Sequence, residues 1–112
     1  MRTTKQAKLL RLHIGESDHY NGKPLYEAIV DRCKELRIAG ATVFRGLEGY
    51  GESAEIHRHH ILGKDQPIII TIVDTPENVA RLIPEVEAMM DTGLISTSDV
   101  ECIRIEKPVA AS

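Results

Sequence analysis

Ile68-Ile-Ile-Thr-Ile-Val73 is the stretch on which the fold turns. It is apolar on both faces, and its shortness and unbroken β-branching favour a strand over a helix. Such a strand lies inside a sheet and needs cover on both sides. Immediately downstream, Thr75 is a good N-cap and Pro76 a good first residue for a helix. The apolar stripe Val79, Leu82, Ile83, Val86, Met89 and Met90 follows at helical spacing. Pro84 falls inside that stripe and predicts a kink, because it removes a backbone donor and crowds the carbonyl of Ala80. Thr92-Gly93 ends the helix, Val100-Glu-Cys-Ile-Arg-Ile105 reads as the last strand, and residues 107–112 form a loose tail.

Upstream of the central strand the same grammar repeats. Residues 8–14 alternate Leu10, Leu12 and Ile14 against Leu9, Arg11 and His13, which is strand periodicity. A polar loop over residues 15–22 leads to Pro24 in the first turn of a helix running to about Ala39. Leu25, Ala28, Ile29, Cys33 and Leu36 are its apolar positions, and Gly40 is its stop signal. Residues 41–47, with Val43 and Phe44, suit a second strand. The order is β-α-β twice over, the pattern of an α+β, ferredoxin-like βαββαβ sandwich with an antiparallel sheet and two helices on one face. The other face stays open. Since residues 68–73 are apolar on both sides, the expected cover is another copy of the chain, as a dimer or a trimer.

Composition narrows the function classes. At 112 residues the chain supports a single domain spanning 1–112. With 42% hydrophobic and 28% charged residues and a net charge of −3, it has no general attraction for nucleic acid or anionic membrane. The early run Leu9-Leu10 is broken by Arg11, and no signal peptide or membrane span can be drawn, so direct membrane insertion is not expected and a cytoplasmic location is. Cys33 and Cys102 fall on a predicted helix and a predicted strand, where burial as small apolar groups is expected rather than a disulfide.

The long connection beginning Gly46-Leu-Glu-Gly-Tyr-Gly51 is where function is expected, because it far exceeds what a hairpin needs. Gly46, Gly49 and Gly51 can bring backbone N–H groups close to a phosphate, and Thr92-Gly-Leu-Ile-Ser-Thr-Ser98 adds a second loop rich in hydroxyls. Neither Walker lysine nor Rossmann spacing is present. Glu55, His57 and His59 project from one side if extended, with His60 pointing away, so two imidazoles and a carboxylate could meet zinc or copper. The bland alternative is a solvated loop, which the lack of a second recognisable ligand group favours. Ser17, Asp18, His13 and His19 lack the spacing of a nucleophilic catalyst, and His13 is expected on the sheet at a subunit interface. Glu27, Arg32, Asp31 and Glu35 read as ordinary solvated helix charge. No enzymatic function is expected.

Ile14-Gly-Glu-Ser-Asp18, Gly22-Lys-Pro-Leu-Tyr-Glu-Ala-Ile29, Ala39-Gly-Ala-Thr-Val43, Gly46-Leu-Glu-Gly-Tyr-Gly51 and Ile56-His57 together resemble the PII-like family named domain of unknown function 190, over most of residues 8–106. The resemblance implies a homotrimer with adenine nucleotides in the clefts between subunits. It also implies a loop, here about residues 52–66, that touches a regulated target such as a membrane transporter or another protein. Carried over by position, Gly49 and Gly51 match the glycines where that loop begins, and Thr92-Gly93 matches the start of the phosphate-contacting loop. Typical PII proteins continue that second loop with Gly-Asp-Gly-Lys, where this chain has Ser96-Thr-Ser-Asp99. Lys23 and Arg45 are nominated as the basic residues that take over. The alternative within the same broad fold is a trimer resembling the CutA proteins, with metal held by the loop histidines. A dimeric α+β-barrel enzyme would need a polar pocket on the open face.

Overall fold

The computed structural model of the chain describes residues 2–48 and 65–108. In chain order the elements are β1 (Arg2–Gly15), β2 (His19–Tyr20), β3 (Lys23–Pro24), α1 (Leu25–Glu35), β4 (Thr42–Arg45), β5 (Pro67–Asp74), α2 (Pro76–Met89) and β6 (Leu94–Ile105). Four strands form one sheet in the order β4-β5-β1-β6, with β2 and β3 as a separate two-stranded hairpin. Every pairing in the sheet is antiparallel. The expected ferredoxin-like architecture is borne out, and β5 is an interior strand between β4 and β1.

The core lies between the sheet and the two helices. Ile68, Ile70 and Ile72 of β5 and Leu10, Leu12 and Ile14 of β1 share one face. Leu25, Ala28, Ile29 and Cys33 of α1 and Val79, Leu82, Val86 and Met89 of α2 cover them. Each large apolar side chain so buried contributes roughly 1.5–3 kcal/mol relative to exposure. The alternate residues Leu9, Arg11 and His13 of β1, Ile69 and Thr71 of β5 and Phe44 of β4 face away from the helices around a broad concavity of ≈ 610 Å³.

Several element boundaries differ from the sequence expectations, each for a local reason. β1 begins at Arg2 rather than residue 8, and β6 at Leu94 rather than Val100. Residues 2–6, all exposed, pair with 101–105 as a two-stranded ribbon beyond the end of β5, where apolar alternation is not needed. Most of the hydroxyl-rich stretch after α2 is strand, not loop, because residues 94–98 pair with residues 9–13 of β1 within the sheet. α1 ends at Glu35, well before Gly40, because Arg37 adopts a left-handed φ of 57°. Arg37 N–H donates to the Lys34 carbonyl (3.1 Å) and Ile38 N–H to the Cys33 carbonyl (2.9 Å), a Schellman arrangement built on arginine instead of glycine. Pro24 precedes the helix as its cap residue and is not inside its first turn.

At α2 the expected start holds: Asn78 N–H donates to Thr75 Oγ1 at 3.1 Å, with Pro76 directly after the cap. The helix continues through Pro84, which is exposed. Arg32 does more than solvate a surface, since it bridges Glu35 (3.0 Å) on its own helix and Glu85 (2.5 Å) on α2. Cys33 is buried and free, its thiol pushed up to about 11 by burial, and Cys102 is half-buried and free.

Candidate functional site

Because β1 runs antiparallel to its neighbours, the end of β1, the end of β4 and the starts of β5 and β6 all meet at one end of the sheet. Both roots of the long connection and the turn after α2 are at that end. The Gly15–Asp18 turn organises it. Gly15 N–H donates to Asp18 Oδ2 (2.8 Å), Asp18 N–H returns to the Gly15 carbonyl (3.2 Å), and Leu25 N–H donates to the Asp18 carbonyl (2.7 Å), which ties the start of α1 to the turn. Beyond it, Asn21 (φ 49°) and Gly22 (φ 82°) make the tight turn of the β2–β3 hairpin.

That turn grips the roots of the long connection. Glu16 N–H donates to the Gln66 carbonyl (2.9 Å), Ser17 N–H donates to Asp65 Oδ1 (2.7 Å), and the Glu16 carboxylate pairs with the Arg45 guanidinium. Across the two roots, Gly46 N–H donates to the Pro67 carbonyl (2.7 Å), and the Gln66 side-chain amide donates to the carbonyls of Gly46 (2.7 Å) and Leu47 (2.9 Å). A Cβ on Gly46 would lie 2.7 Å from Pro67 Cγ, so this glycine is required by close packing whatever else it does. Glu16, Asp65 and Gln66 had no site role in the sequence reading; Gly15-x-x-Asp18, whose carboxylate reaches back to the N–H three residues before it, is the local signal that marks the turn.

The nominated ligand residues do not form one cluster. Arg45 is at the clamp, already engaged by Glu16. Lys23 is occupied elsewhere: its ammonium lies 2.7 Å from Asp31 on α1. That hydrogen bond, reinforced by the attraction between the two opposite charges, raises the lysine pKa and lowers that of Asp31. Thr92 and Gly93 are exposed in the turn between α2 and β6. Gly93 has a φ of 131°, and a Cβ there would lie 2.6 Å from the His13 carbonyl oxygen. With the order β4-β5-β1-β6, Arg45 and the Thr92-Gly93 turn stand on opposite edges of the sheet. Three interstrand spacings separate those edges, about 14 Å. One phosphate group cannot touch both within a single subunit.

Gly49, Gly51 and the candidate metal ligands Glu55, His57 and His59, with His60, lie outside the described residues, as does most of the 52–66 segment. Among the described residues no group of three His, Cys, Asp or Glu side chains is arranged to hold a metal ion. No described helix is long and apolar enough to cross a membrane.

The profile of the DUF190 family, described as "Uncharacterized ACR", matches residues 7–102. The chain belongs to the DUF190 family. Among its relatives, a UPF0166 protein of Aquifex aeolicus is 39% identical over 105 residues, covering 92% of this chain and 98% of the relative. A second, from Methanocaldococcus jannaschii, is 35% identical over 99 residues, covering 84% and 89%. Among solved structures, the DUF190 fold matches apo CPII of Thiomonas intermedia K12, a nitrogen regulatory PII-like protein, with a TM-score of 0.61 at 20% identity over 94% of this chain and 100% of that one. CPII bound to ADP and bicarbonate matches with a TM-score of 0.60 at 24% identity, over 89% and 91%. At such identities the likeness establishes the PII-like fold of this DUF190 protein, while its ligand chemistry has to be argued from its own residues.

Proposed function

We propose that this DUF190 protein is a non-enzymatic, PII-like regulatory protein of the cytoplasm. It assembles as a homotrimer, binds an adenine nucleotide in the clefts between subunits, and presents the 52–66 segment to a target such as a membrane transporter. The observation that carries the proposal is the separation of the two candidate phosphate-contacting segments. Arg45, with the root leading to Gly49 and Gly51, is on the β4 edge, and Thr92-Gly93 is at the β6 edge about 14 Å away. Copies arranged edge to edge around an axis bring the β4 edge of one subunit beside the β6 edge of the next, and the two half-sites then face a single cleft. The fold shared with CPII, which has been solved with ADP, supports the choice of ligand class.

The clamp supplies a route from ligand to loop. Phosphate oxygens compete with the Glu16 carboxylate for the Arg45 guanidinium, and that pair joins the Gly15–Asp18 turn to the root of the long connection. Exchange of one anion for the other shifts the root and with it the population of loop conformations.

Native mass spectrometry of the untagged protein, with and without adenine nucleotides, zinc and a chelator, tests the proposal. The expected outcome is a trimer that gains up to one nucleotide per subunit. A trimer that ignores nucleotides but takes up chelator-sensitive metal transfers the function to the histidines of the long connection.

A further inference from the structure

The helix-free face of the sheet carries an ordered row that neither nucleotide binding nor loop presentation uses. Cross-strand register places Thr42 opposite Thr71, Thr71 opposite Arg11, and Arg11 opposite Ser96. One guanidinium and three hydroxyls thus form a line across all four strands. On one side of this row run Val73, Leu9 and Ser98, and on the other Phe44, Ile69, His13 and Leu94. The concavity of ≈ 610 Å³ centres on the row and is lined by Arg11, His13, Thr71 and Ser96 among apolar side chains.

The charge inventory of this face is one-sided. Arg11 and His13 are its titratable groups in these three rows, and no carboxylate stands in register with either. Arg32, Arg45 and Arg81 each hold a hydrogen-bonded partner, whereas the Arg11 guanidinium has none among the described residues. In a lone subunit Arg11 is exposed and water serves it. Closing the face on further copies removes that water. A guanidinium stays charged at any working pH, and burying it unpaired is strongly unfavourable. Among the described residues of these rows, identical faces bring more arginine and no acid, which leaves an anion from solution as the counterion they call for.

We propose that the assembled open faces enclose a binding site for a small tetrahedral oxyanion, inorganic phosphate or sulfate, held by Arg11 from more than one copy with Thr71 and Ser96 as neutral donors. The planar fork of arginine matches two oxygens of such an ion, and hydroxyls beside it donate without adding charge. The ion is a structural counterion, distinct from a nucleotide in the edge clefts. This site rests on the oligomer proposed above.

Thermal melting, native mass and phosphate stoichiometry, measured on the full chain in chloride and in inorganic phosphate at matched ionic strength, test it. The expected result is an oligomer that melts several degrees higher in phosphate, saturably, and takes up one phosphate per oligomer rather than one per subunit. Arg11→Met, at a position exposed in the single subunit, is expected to assemble in chloride alone and to lose the phosphate shift. A wild-type oligomer indifferent to phosphate overturns the site while leaving the assembly standing. So does a phosphate shift that survives in Arg11→Met, which places the ion elsewhere. An Arg11→Met variant that dissociates while the wild type ignores phosphate shows that Arg11 pairs with a neighbour's acid, and overturns the site too. A chain monomeric in both buffers removes the assembly and the site together.

Discussion

Gly93 illustrates how one residue can be chosen for two reasons, of which the sequence advertises only one. Its place in Thr92-Gly93 suggests a phosphate-contacting loop, yet its φ of 131° and a virtual Cβ 2.6 Å from the His13 carbonyl and 2.7 Å from Met90 Cε already demand glycine. Gly93→Ala is expected to destabilise the fold by roughly 2–4 kcal/mol, because both the backbone and two neighbours would have to move. Urea unfolding measures it. A change below about 0.5 kcal/mol would mean that the turn relaxes freely, leaving ligand contact as the reason for the glycine. The nominated cations teach a related lesson. Lys23 and Arg45 were picked for charge alone, and charge along a sequence does not say who is already paired. Asp31 and Glu16 hold them, partners eight and twenty-nine positions away in the chain.

At the scale of elements, Asp74 is the joint between β5, the segment after α1 and the start of α2. Its carboxylate accepts from Ala39 N–H (2.8 Å), Thr75 N–H (2.7 Å) and Asn78 Nδ2 (3.1 Å). Burial by itself would push its pKa up, but these three donors outweigh burial and hold it below the ordinary 3.8. The sign follows: a depressed folded pKa gives stability that is fully present above the unfolded value and is lost as the pH falls through the folded one. Between pH 7 and about pH 5 Asp74 should leave stability unchanged, and as the pH falls further, through the unfolded and then the lower folded pKa, it should contribute progressively to acid unfolding. Asp74→Asn is expected to cost about 1–3 kcal/mol at pH 7 and to flatten the acid limb, measured as urea midpoints from pH 7 to pH 2. Equal acid slopes in both proteins would remove Asp74 from the titration. The α2 start beside it was legible, because Thr75-Pro76 is a local signal read by the nearest turn. The end of α1 was not, since Arg37 rather than Gly40 turns left-handed there. The Arg81 guanidinium, from α2, takes up the Leu36 carbonyl left over at that end (2.7 Å).

For the whole molecule, the decisive feature is a sheet with one face covered and one bare. Phe44 is 52% exposed on that bare face in the single subunit, so Phe44→Lys should leave the subunit folded while adding an uncompensated cation to a face that already carries Arg11 and no carboxylate in its three central rows. The expected outcome is dissociation, with association weakened roughly a hundredfold or more, read by sedimentation with circular dichroism as the folding control. An unchanged mass would mean that the open face is not the interface. The amino-acid sequence by itself determined the order of the four main strands and two helices, the interior position of residues 68–73, the core stripes of both helices and the family, but not the short β2–β3 hairpin. Those are set by short-range periodicity and capping, which a linear chain displays directly. Only the tertiary structure decided that the Gly15–Asp18 turn clamps both roots of the long connection, that Arg45 and Thr92-Gly93 are parted by the width of the sheet, and that Arg11 stands in a row of hydroxyls without a carboxylate. Strand order and cross-strand register bring together residues that the chain keeps tens of positions apart, and electrostatic partnership follows distance in space rather than in sequence.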